Sequence, residues 1–287
     1  MSARHRPSLD ARELAFDGAL NLRDLGGLPT AHGATAFGRV VRGGRRERLT
    51  AEGWRQLAAH GIGHVIDLRT APEVHRRPTD PQVPAAAWES FDLLQLPVED
   101  FAVADYVEAL DHPYLNHPKH YPLLLAHFPA ELAAVMHALA RIAWLPAGTR
   151  SPDSSDPAEP GSGSSRPTSP RPGVYIHCSA GRDRTGLVSA WLLQLAGVAD
   201  AEIIADYRRS LDWVNEYHRT SGHPVEKHEP PAVFEPWARS RTEALAAFLR
   251  AHPAAEVLPR LGLEADEVGA LAPLLAPPDP RPDPSAG

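Results

Sequence analysis

The sequence contains a single cysteine, Cys178, among its 287 residues. One thiol excludes an internal disulfide framework, a thiolate zinc cluster, a cysteine-ligated iron–sulfur centre and a dithiol redox motif within one chain. The sequence also lacks an uninterrupted apolar run of about 18 residues, so it predicts no integral membrane segment. No basic-then-apolar signal opens the chain. We therefore expect a cytoplasmic protein, although a non-standard route of secretion would leave no such signal.

Basic side chains are outnumbered by acidic ones, 29 to 36, which gives a formal net charge of −7. Affinity for nucleic acid depends on neutralising phosphates, so we expect no nucleic-acid partner for this acidic chain. The charge is uneven. The first 60 residues carry 10 basic and 6 acidic side chains, and the rest carry 19 and 30. A local anion-binding surface is therefore compatible with the overall charge.

Composition and length predict one globular domain with an interruption. Apolar residues make up 43% of the chain, which is enough to bury a core. Residues 146–173 contain 7 prolines, 7 serines and 4 glycines, a composition typical of a flexible, disordered insert. We predict a single domain over residues 13–275 that contains this insert. Residues 1–12 are predicted to be a flexible N-terminus and residues 276–287 a disordered tail.

Strand and helix patterns alternate along the chain. Residues 64–68 and 174–177 have the composition of short buried strands. Thr50 can cap one helix, Pro129 suits the first turn of another, and residues 184–196 form a third, strongly apolar helix. Alternating strands and helices predict an α/β fold in which helices flank a largely parallel central sheet.

The most informative segment is His-Cys-Ser-Ala-Gly-Arg-Asp-Arg-Thr-Gly at residues 177–186. A cysteine, five residues and an arginine form the pattern that cysteine-based hydrolysis of phosphate esters requires. A loop of this length can turn its backbone N–H groups around a phosphate and stabilise the thiolate of Cys178. Arg184 offers a planar fork for two phosphate oxygens. The other predicted phosphate-binding residues are Ser179, Ala180, Gly181, Arg182 and Thr185.

The reaction predicted for this loop has two halves. Cys178 attacks phosphorus to give a phosphocysteine, and water then hydrolyses this intermediate. One carboxylate can protonate the leaving oxygen and later activate the water. Asp183, inside the loop, is the candidate for that role, with capping of the following helix as the alternative. The Thr185 hydroxyl can donate a hydrogen bond to the sulfur. This chemistry needs neither a metal nor another cofactor.

Further motifs accompany the loop, among them Asn-Leu-Arg-Asp-Leu-Gly-Gly at residues 21–27 and Gly-Ile-x-x-Val-Ile-Asp-Leu-Arg at residues 61–69. Together they resemble the bacterial and fungal tyrosine/serine protein phosphatase family of the protein-tyrosine-phosphatase superfamily. The resemblance covers about residues 16–145 and 174–275. It implies a protein-tyrosine-phosphatase-like fold, with residues 206–250 forming either a helical lid or ordinary packing. It also implies a phosphotyrosine protein substrate, or a phosphoserine, phosphothreonine or phosphoinositide substrate.

One loop position departs from the pattern of that family. The family usually has a lysine there, whereas this chain has Arg182. Arginine keeps the charge and changes the reach, so Arg182 either binds a second substrate charge or is solvated. His177 is predicted to bond the backbone and tune the thiolate. Asp67 lies at the end of a buried strand and either lines the pocket, orients Arg184 or caps a helix. Arg23 and Asp24 form either a special turn near the site or a structural ion pair.

Two other functions fit parts of the sequence. A rhodanese-like sulfurtransferase also uses a loop cysteine in an α/β domain, but its loops usually lack a Cys-x5-Arg-Thr-Gly run. A phosphate-binding pseudophosphatase would keep the loop without turnover, whereas Cys178, Asp183 and Arg184 are all intact here. The histidines match no metal-ligand pattern. The oligomeric state and the physiological ester cannot be predicted from the sequence.

Overall fold

The computed structural model describes residues 11–145 and 172–276. The predicted flexible N-terminus, the Pro/Ser/Gly insert and the tail therefore lie almost entirely outside the described residues, and the domain boundaries remain predictions. Arg12, at the end of the predicted N-terminal segment, is described. It is buried and its guanidinium binds Asp206 at 2.9 Å.

Five strands form the central sheet and two short strands form a separate hairpin. The strands of the described residues are β1 (Arg23–Asp24), β2 (Pro29–Thr30), β3 (Gly33–Ala34), β4 (Val40–Gly43), β5 (Ile62–Asp67), β6 (Asp92–Gln95) and β7 (Gly173–His177). The central sheet has the order β1-β4-β7-β5-β6, and β2 pairs with β3. Strands β4, β7, β5 and β6 run parallel, whereas β1 pairs antiparallel with β4. The predicted α/β fold with a largely parallel sheet is confirmed.

Helices cover both faces of this sheet. Those of the described residues are α1 (Ala51–Ala59), α2 (Ala104–Ala109), α3 (Tyr121–His127), α4 (Pro129–Trp144), α5 (Asp183–Leu195), α6 (Asp200–Tyr217), α7 (Pro231–Ala251), α8 (Ala254–Arg260) and α9 (Ala265–Leu274). The Thr50 side chain accepts the Gly53 N–H at 3.2 Å, so it caps α1 as predicted. Pro129 opens α4 as predicted, because the first turn of a helix needs no N–H at that position.

One apolar cluster packs against each face of the central sheet. Neighbouring residues of one strand enter different clusters because side chains alternate between the faces of a sheet. Val40 packs with the larger cluster around α4, α5 and α9, while Val41 packs with the smaller cluster around Trp54 of α1. In strand β7, Val174 and Ile176 pack with the larger cluster and Tyr175 with the smaller one, and all residues of the strand are buried. Such two-sided burial is typical of the centre of a parallel sheet.

The parallel strands end together at one edge of the sheet. His177 pairs in register with Gly43 on one side and with Asp67 on the other, and Asp67 pairs with Gln95. The segments that follow β4, β5, β6 and β7 therefore emerge side by side. In open α/β sheets this carboxyl edge is where ligands bind. It is also where the loop that starts at Cys178 lies.

The described helices were compared with the length and apolarity that a membrane-spanning helix needs. No single described helix is long and apolar enough to cross a membrane. Among residues 11–145 and 172–276, the helix pair Pro118–His127 and Pro129–Trp144, bent by 96°, is the one pair that reaches that length and apolarity together.

Candidate active site

The loop between β7 and α5 is held from outside through its carbonyl groups. Three consecutive carbonyls accept hydrogen bonds at 2.8 to 3.1 Å from groups outside the loop. The carbonyls are those of Ser179, Ala180 and Gly181, and the donors are the Arg45 N–H and the side chains of Asn21 and Arg42. Because a peptide unit is planar and trans, outward carbonyls turn the following N–H groups towards the centre of the loop. The sequence predicted this inward arrangement.

Gly181 is required by the geometry of this loop. Its φ is +70°, and a Cβ at this position would lie 2.3 Å from the backbone carbon of Gly43. Backbone approaches this close leave room for glycine alone. Asn21, in the N-terminal motif, also has a positive φ of 49°, and its amide reaches the loop carbonyls from that conformation. The N-terminal motif therefore shapes the loop directly.

Cys178 occupies the first position after β7 and is 3% exposed. The preceding His177 is fully buried, and the burial lowers its pKa to about 4, so the ring is neutral at neutral pH. Its Nδ1 donates to the Cys178 carbonyl at 3.3 Å, which is the backbone bond predicted for it. The predicted bond from Thr185 to the sulfur is not formed. The Thr185 hydroxyl is buried and has no hydrogen-bond partner among the described residues.

Arg184, six residues after Cys178, lies between two carboxylates. Arg184 donates hydrogen bonds to the Glu73 carboxylate from Nη1 at 2.6 Å and from Nη2 at 2.7 Å. The Ser179 hydroxyl also donates to Glu73, at 2.9 Å. Glu99 Oε1 lies 3.1 Å from Nη1. Burial alone would raise the pKa of Glu73, but the hydrogen bonds and charge of Arg184 outweigh it and lower the pKa to about 2. Glu73 is therefore ionised.

Glu99 is a buried carboxyl group that the sequence analysis missed. It follows β6 at the carboxyl edge of the sheet and is 3% exposed. The Tyr106 hydroxyl of α2 donates to its Oε2. Burial raises the pKa of Glu99, and this effect exceeds the opposing charge of Arg184. The available signal was its position just after a strand of the parallel sheet.

Arg182 and Asp183 point into the helical layer and bind partners there. Arg182 is 3% exposed, donates to Asp183 at 2.7 Å, and holds both carboxylate oxygens of Glu226 at 2.7 and 2.9 Å. The Trp237 ring of α7 lies 5.8 Å from its guanidinium carbon. The Tyr207 hydroxyl of α6 donates to the other Asp183 oxygen at 3.0 Å. Arg182 is thus buried and paired rather than solvated, and both oxygens of Asp183 accept hydrogen bonds.

Arg23 belongs to a buried network beneath the loop. Arg12, Arg23 and Arg42 all bind the carboxylate of Asp206 on α6, at 2.8 to 2.9 Å. Burial alone would raise the pKa of Asp206, but the three guanidinium charges hold it well below its usual range. Arg42 then donates to the Gly181 carbonyl. Arg23 therefore supports the loop through Asp206 rather than forming an ion pair with its neighbour.

Asp24 and Asp67 bind partners other than the loop arginine Arg184. Asp24 accepts the backbone N–H groups of Gly26, in its own turn, and of distant Gly38, both at 2.7 Å, and its Oδ2 lies 2.6 Å from the ring of His60. Asp67 binds Arg69 at 2.7 and 2.8 Å and Arg46 at 2.8 Å, rather than the loop arginine. The predicted role of Asp67 in orienting that arginine is taken by Glu73.

The Cys-x5-Arg loop thus lies at the carboxyl edge of a largely parallel sheet and leads directly into helix α5. The chain belongs to the Tyrosine phosphatase family, whose model matches residues 14–147 and 166–255. This agrees with the family resemblance of the sequence motifs.

Individual relatives are similar over most of their length. A Cupriavidus necator protein named as a candidate tyrosine-protein phosphatase is 30% identical over 241 residues, which cover 83% of this chain and 78% of the relative. The triple specificity protein phosphatase PtpB of Mycobacterium tuberculosis is 29% identical over 227 residues, covering 69% and 68%. The Yvh1 phosphatase domain of Chaetomium thermophilum is 17% identical with a TM-score of 0.29, covering 76% of this chain and 95% of that domain.

Proposed function

We propose that this tyrosine phosphatase family member hydrolyses phosphomonoesters through a phosphocysteine at Cys178 and without a metal ion. The observation that carries the proposal is the loop itself, whose carbonyls are bound from outside by Asn21, Arg42 and the Arg45 N–H. Its N–H groups are thereby fixed towards a bound phosphate before substrate arrives. Preorganised donors of this kind stabilise the charge that develops in a transition state.

Each group has a defined part in the two steps. The Cys178 sulfur donates an electron pair to phosphorus, and the bond to the leaving oxygen breaks. Water then attacks phosphorus, and the sulfur leaves as a thiolate. Arg184 and the loop N–H groups hold the phosphate oxygens in both steps and supply the positive charge that a metal supplies in other phosphatases. Phosphate must share Arg184 with Glu73, which occupies both of its Nη atoms.

A carboxyl group must also protonate the leaving oxygen. Asp183 is the candidate from the sequence. Its oxygens accept hydrogen bonds from Arg182 and Tyr207, so transfer of a proton from Asp183 would disrupt a buried network. Glu99 is the second candidate, and the geometry around Arg184 favours it.

The substrate class we propose is phosphotyrosine in proteins. PtpB of M. tuberculosis is named as a triple specificity protein phosphatase, which makes phosphoserine, phosphothreonine and phosphoinositides the comparison substrates. A phosphoinositide carries several phosphates, and the basic loop residue would be the natural partner of the second one. Here Arg182 is paired with Glu226 and Asp183, which favours a substrate with a single phosphate. We place the activity in the cytoplasm, where a lone thiol stays reduced.

The test is release of phenolate from para-nitrophenyl phosphate in excess EDTA. We expect wild-type activity and no activity in Cys178→Ser. Arg184→Lys should lose at least about 100-fold in kcat/KM because lysine lacks the fork, whereas the exposed Arg141→Lys should match wild type. An inactive but folded wild type that binds phosphate would indicate a pseudophosphatase. Thiosulfate:cyanide transfer would indicate a sulfurtransferase, and activity that survives in Cys178→Ser would exclude this nucleophile.

A further inference from the structure

The Arg184 guanidinium is shared by two carboxyl groups from different parts of the chain. Glu73 lies in the turn after β5, and Glu99 lies in the segment after β6. Nη1 is 2.6 Å from Glu73 and 3.1 Å from Glu99. If both carboxyl groups are ionised, this part of the site carries one positive and two negative charges. A phosphate ester that binds Arg184 adds more negative charge to the same place.

This excess of negative charge is relieved if one proton is bound. Among the described residues, the groups whose charge or hydrogen bond acts most strongly on Glu99 are Arg184, Tyr106, Glu73 and Asp183. Arg184 is the only cation among these four, and Tyr106 donates its hydroxyl hydrogen to Glu99. A bound phosphate dianion would compete for Arg184 and raise the proton affinity of the carboxyl groups beside it.

The two carboxyl groups differ in how well their charge is compensated. Glu73 keeps two bonds from Arg184, one from the Ser179 hydroxyl and two from Thr70, and its side chain is 25% exposed. Glu99 has Tyr106 and one nitrogen of Arg184, and its side chain is 1% exposed. The charged form of a buried carboxyl group with few donors is the less stable of the two. When an anion binds at Arg184, Glu99 is therefore the carboxyl group that takes up the proton.

We propose that Glu99, rather than Asp183, is the acid that protonates the leaving group and the base that later activates water. The proposal rests on the proposed phosphatase function. Glu99 is suitably placed, because its Oε1 and a phosphate held by Arg184 are neighbours of the same Nη1 atom. When sulfur attacks phosphorus, the P–O bond breaks and the Glu99 proton moves to the leaving oxygen. In the second step the Glu99 carboxylate takes a proton from water as the water oxygen bonds to phosphorus and the P–S bond breaks.

The first test uses aryl phosphates whose leaving groups differ in pKa, from 2,4-dinitrophenyl phosphate to phenyl phosphate. An acid matters most when the leaving oxygen is basic. Glu99→Gln should therefore lower kcat/KM by only a few-fold for dinitrophenyl phosphate and by about 100-fold or more for phenyl phosphate. Asp183→Asn should lower both rates by a similar factor. The exposed Glu131→Gln is the matched control and should behave as wild type.

The outcomes separate the two proposals. A wild type that is inactive towards dinitrophenyl phosphate would overturn the phosphatase function itself. An active wild type in which Glu99→Gln loses equally on every ester would make Glu99 a positioning residue for Arg184 and overturn this inference. Leaving-group dependence in Asp183→Asn instead of Glu99→Gln would also overturn it.

A second measurement does not depend on turnover. Tungstate binding is followed by calorimetry at pH 6.5 in buffers of different ionisation enthalpy, which gives the number of protons taken up. We expect proton uptake in wild type and in Glu131→Gln, and about one proton less in Glu99→Gln. Equal uptake in wild type and Glu99→Gln would contradict the proposal. If Glu99→Gln fails to fold, Glu99→Asp keeps the carboxyl group and should retain both the uptake and part of the phenyl phosphate activity.

Discussion

Arg42 and Gly181 are 139 residues apart in the sequence and are joined by a hydrogen bond of 2.8 Å from the guanidinium to the loop carbonyl. Arg42 also binds Asp206 at 2.9 Å. Burial and the nearby charge of Arg23 lower the pKa of Arg42 to about 10, so Arg42 stays charged at neutral pH. The loop geometry thus depends on a buried charge cluster that itself does not touch phosphate.

Asp206→Asn tests this cluster. The substitution removes the carboxylate that three buried arginines share, and uncompensated buried charge typically costs about 3–5 kcal/mol. We expect a loss of that size in the free energy of unfolding from urea titration, with a marked loss of phosphatase activity. Asp212→Asn, on the same helix but at a far more exposed side chain, is the matched control and should change little. An equal effect of both variants would exclude a special role for the cluster.

Gly181→Ala tests the close backbone approach. Both Gly181 and Gly197 have a positive φ, but a Cβ on Gly197 would have nothing within 4 Å, whereas one on Gly181 would meet the backbone of Gly43. Gly197→Ala should therefore cost roughly 1 kcal/mol for backbone strain alone. Gly181→Ala should cost considerably more and should abolish most activity, since the loop must shift. Unfolding curves and kcat/KM for an aryl phosphate measure both effects. Full activity in Gly181→Ala would contradict the described loop.

Stability should fall as the pH drops below about 6.5, in part because of His177. Its pKa is lowered to about 4 in the folded state, whereas the unfolded value is about 6.5. Between these values the unfolded chain binds the proton and the folded chain does not, so acid favours unfolding, by at most about 3 kcal/mol. Below about pH 4 this contribution is lost completely.

His177→Gln removes that titration and should flatten the dependence of unfolding free energy on pH between 6.5 and 4. The exposed His75→Gln is the control and should keep the wild-type slope. Urea titrations at several pH values measure it. An unchanged slope in His177→Gln would show that the pKa of His177 is not lowered in the folded state.

The buried pair of Arg182 and Glu226 should be strongly coupled. Glu226 also accepts hydrogen bonds from Tyr114 and His218, and the positive charge of Arg182 helps to hold its pKa well below the usual range despite burial. A double-mutant cycle with Arg182→Met and Glu226→Gln should give a coupling energy of roughly 1.5–3 kcal/mol. The exposed pair Arg219 and Glu216 is the control and should show much weaker coupling. Comparable coupling in both pairs would contradict the burial of Arg182.

The elements that the sequence predicted best are those that depend on local order. The loop follows from the spacing of Cys178 and Arg184 between a strand and a helix, because that spacing limits how the backbone can turn. The caps of α1 and the start of α4 are local in the same way. Each of these features depends on residues within one or two turns of each other.

The supporting residues could not be predicted with the same success, because they act across the fold. Asp67 ends its strand close to the loop, yet the six-residue segment after it turns back and brings Glu73 to Arg184 instead. Glu99 lies 85 residues before Arg184, and the intervening chain includes the Pro/Ser/Gly insert. That Glu99 lies close to Arg184 can be inferred only once β6 is known to be the neighbour of β5.

Arg23 and Asp24 are neighbours in the sequence but do not bind each other. Adjacent residues on a strand point to opposite faces of the sheet. Arg23 accordingly binds Asp206 and Asn21, while Asp24 binds His60 and the backbone of its turn. A strand of only two residues has no alternating pattern by which it could be recognised in the sequence.

The arginine network around Asp206 has a consequence for how the chain becomes active. Ribosomes make the N-terminal arginines first, the nucleophile much later, and Asp206 later still. Until α6 has been synthesised and has docked on the N-terminal strands, Arg42 has no carboxylate to hold it against the Gly181 carbonyl. In a nascent or partly refolded chain the loop that follows Cys178 therefore lacks the hydrogen bond from Arg42. We therefore expect activity to appear only after α6 has docked on the N-terminal strands.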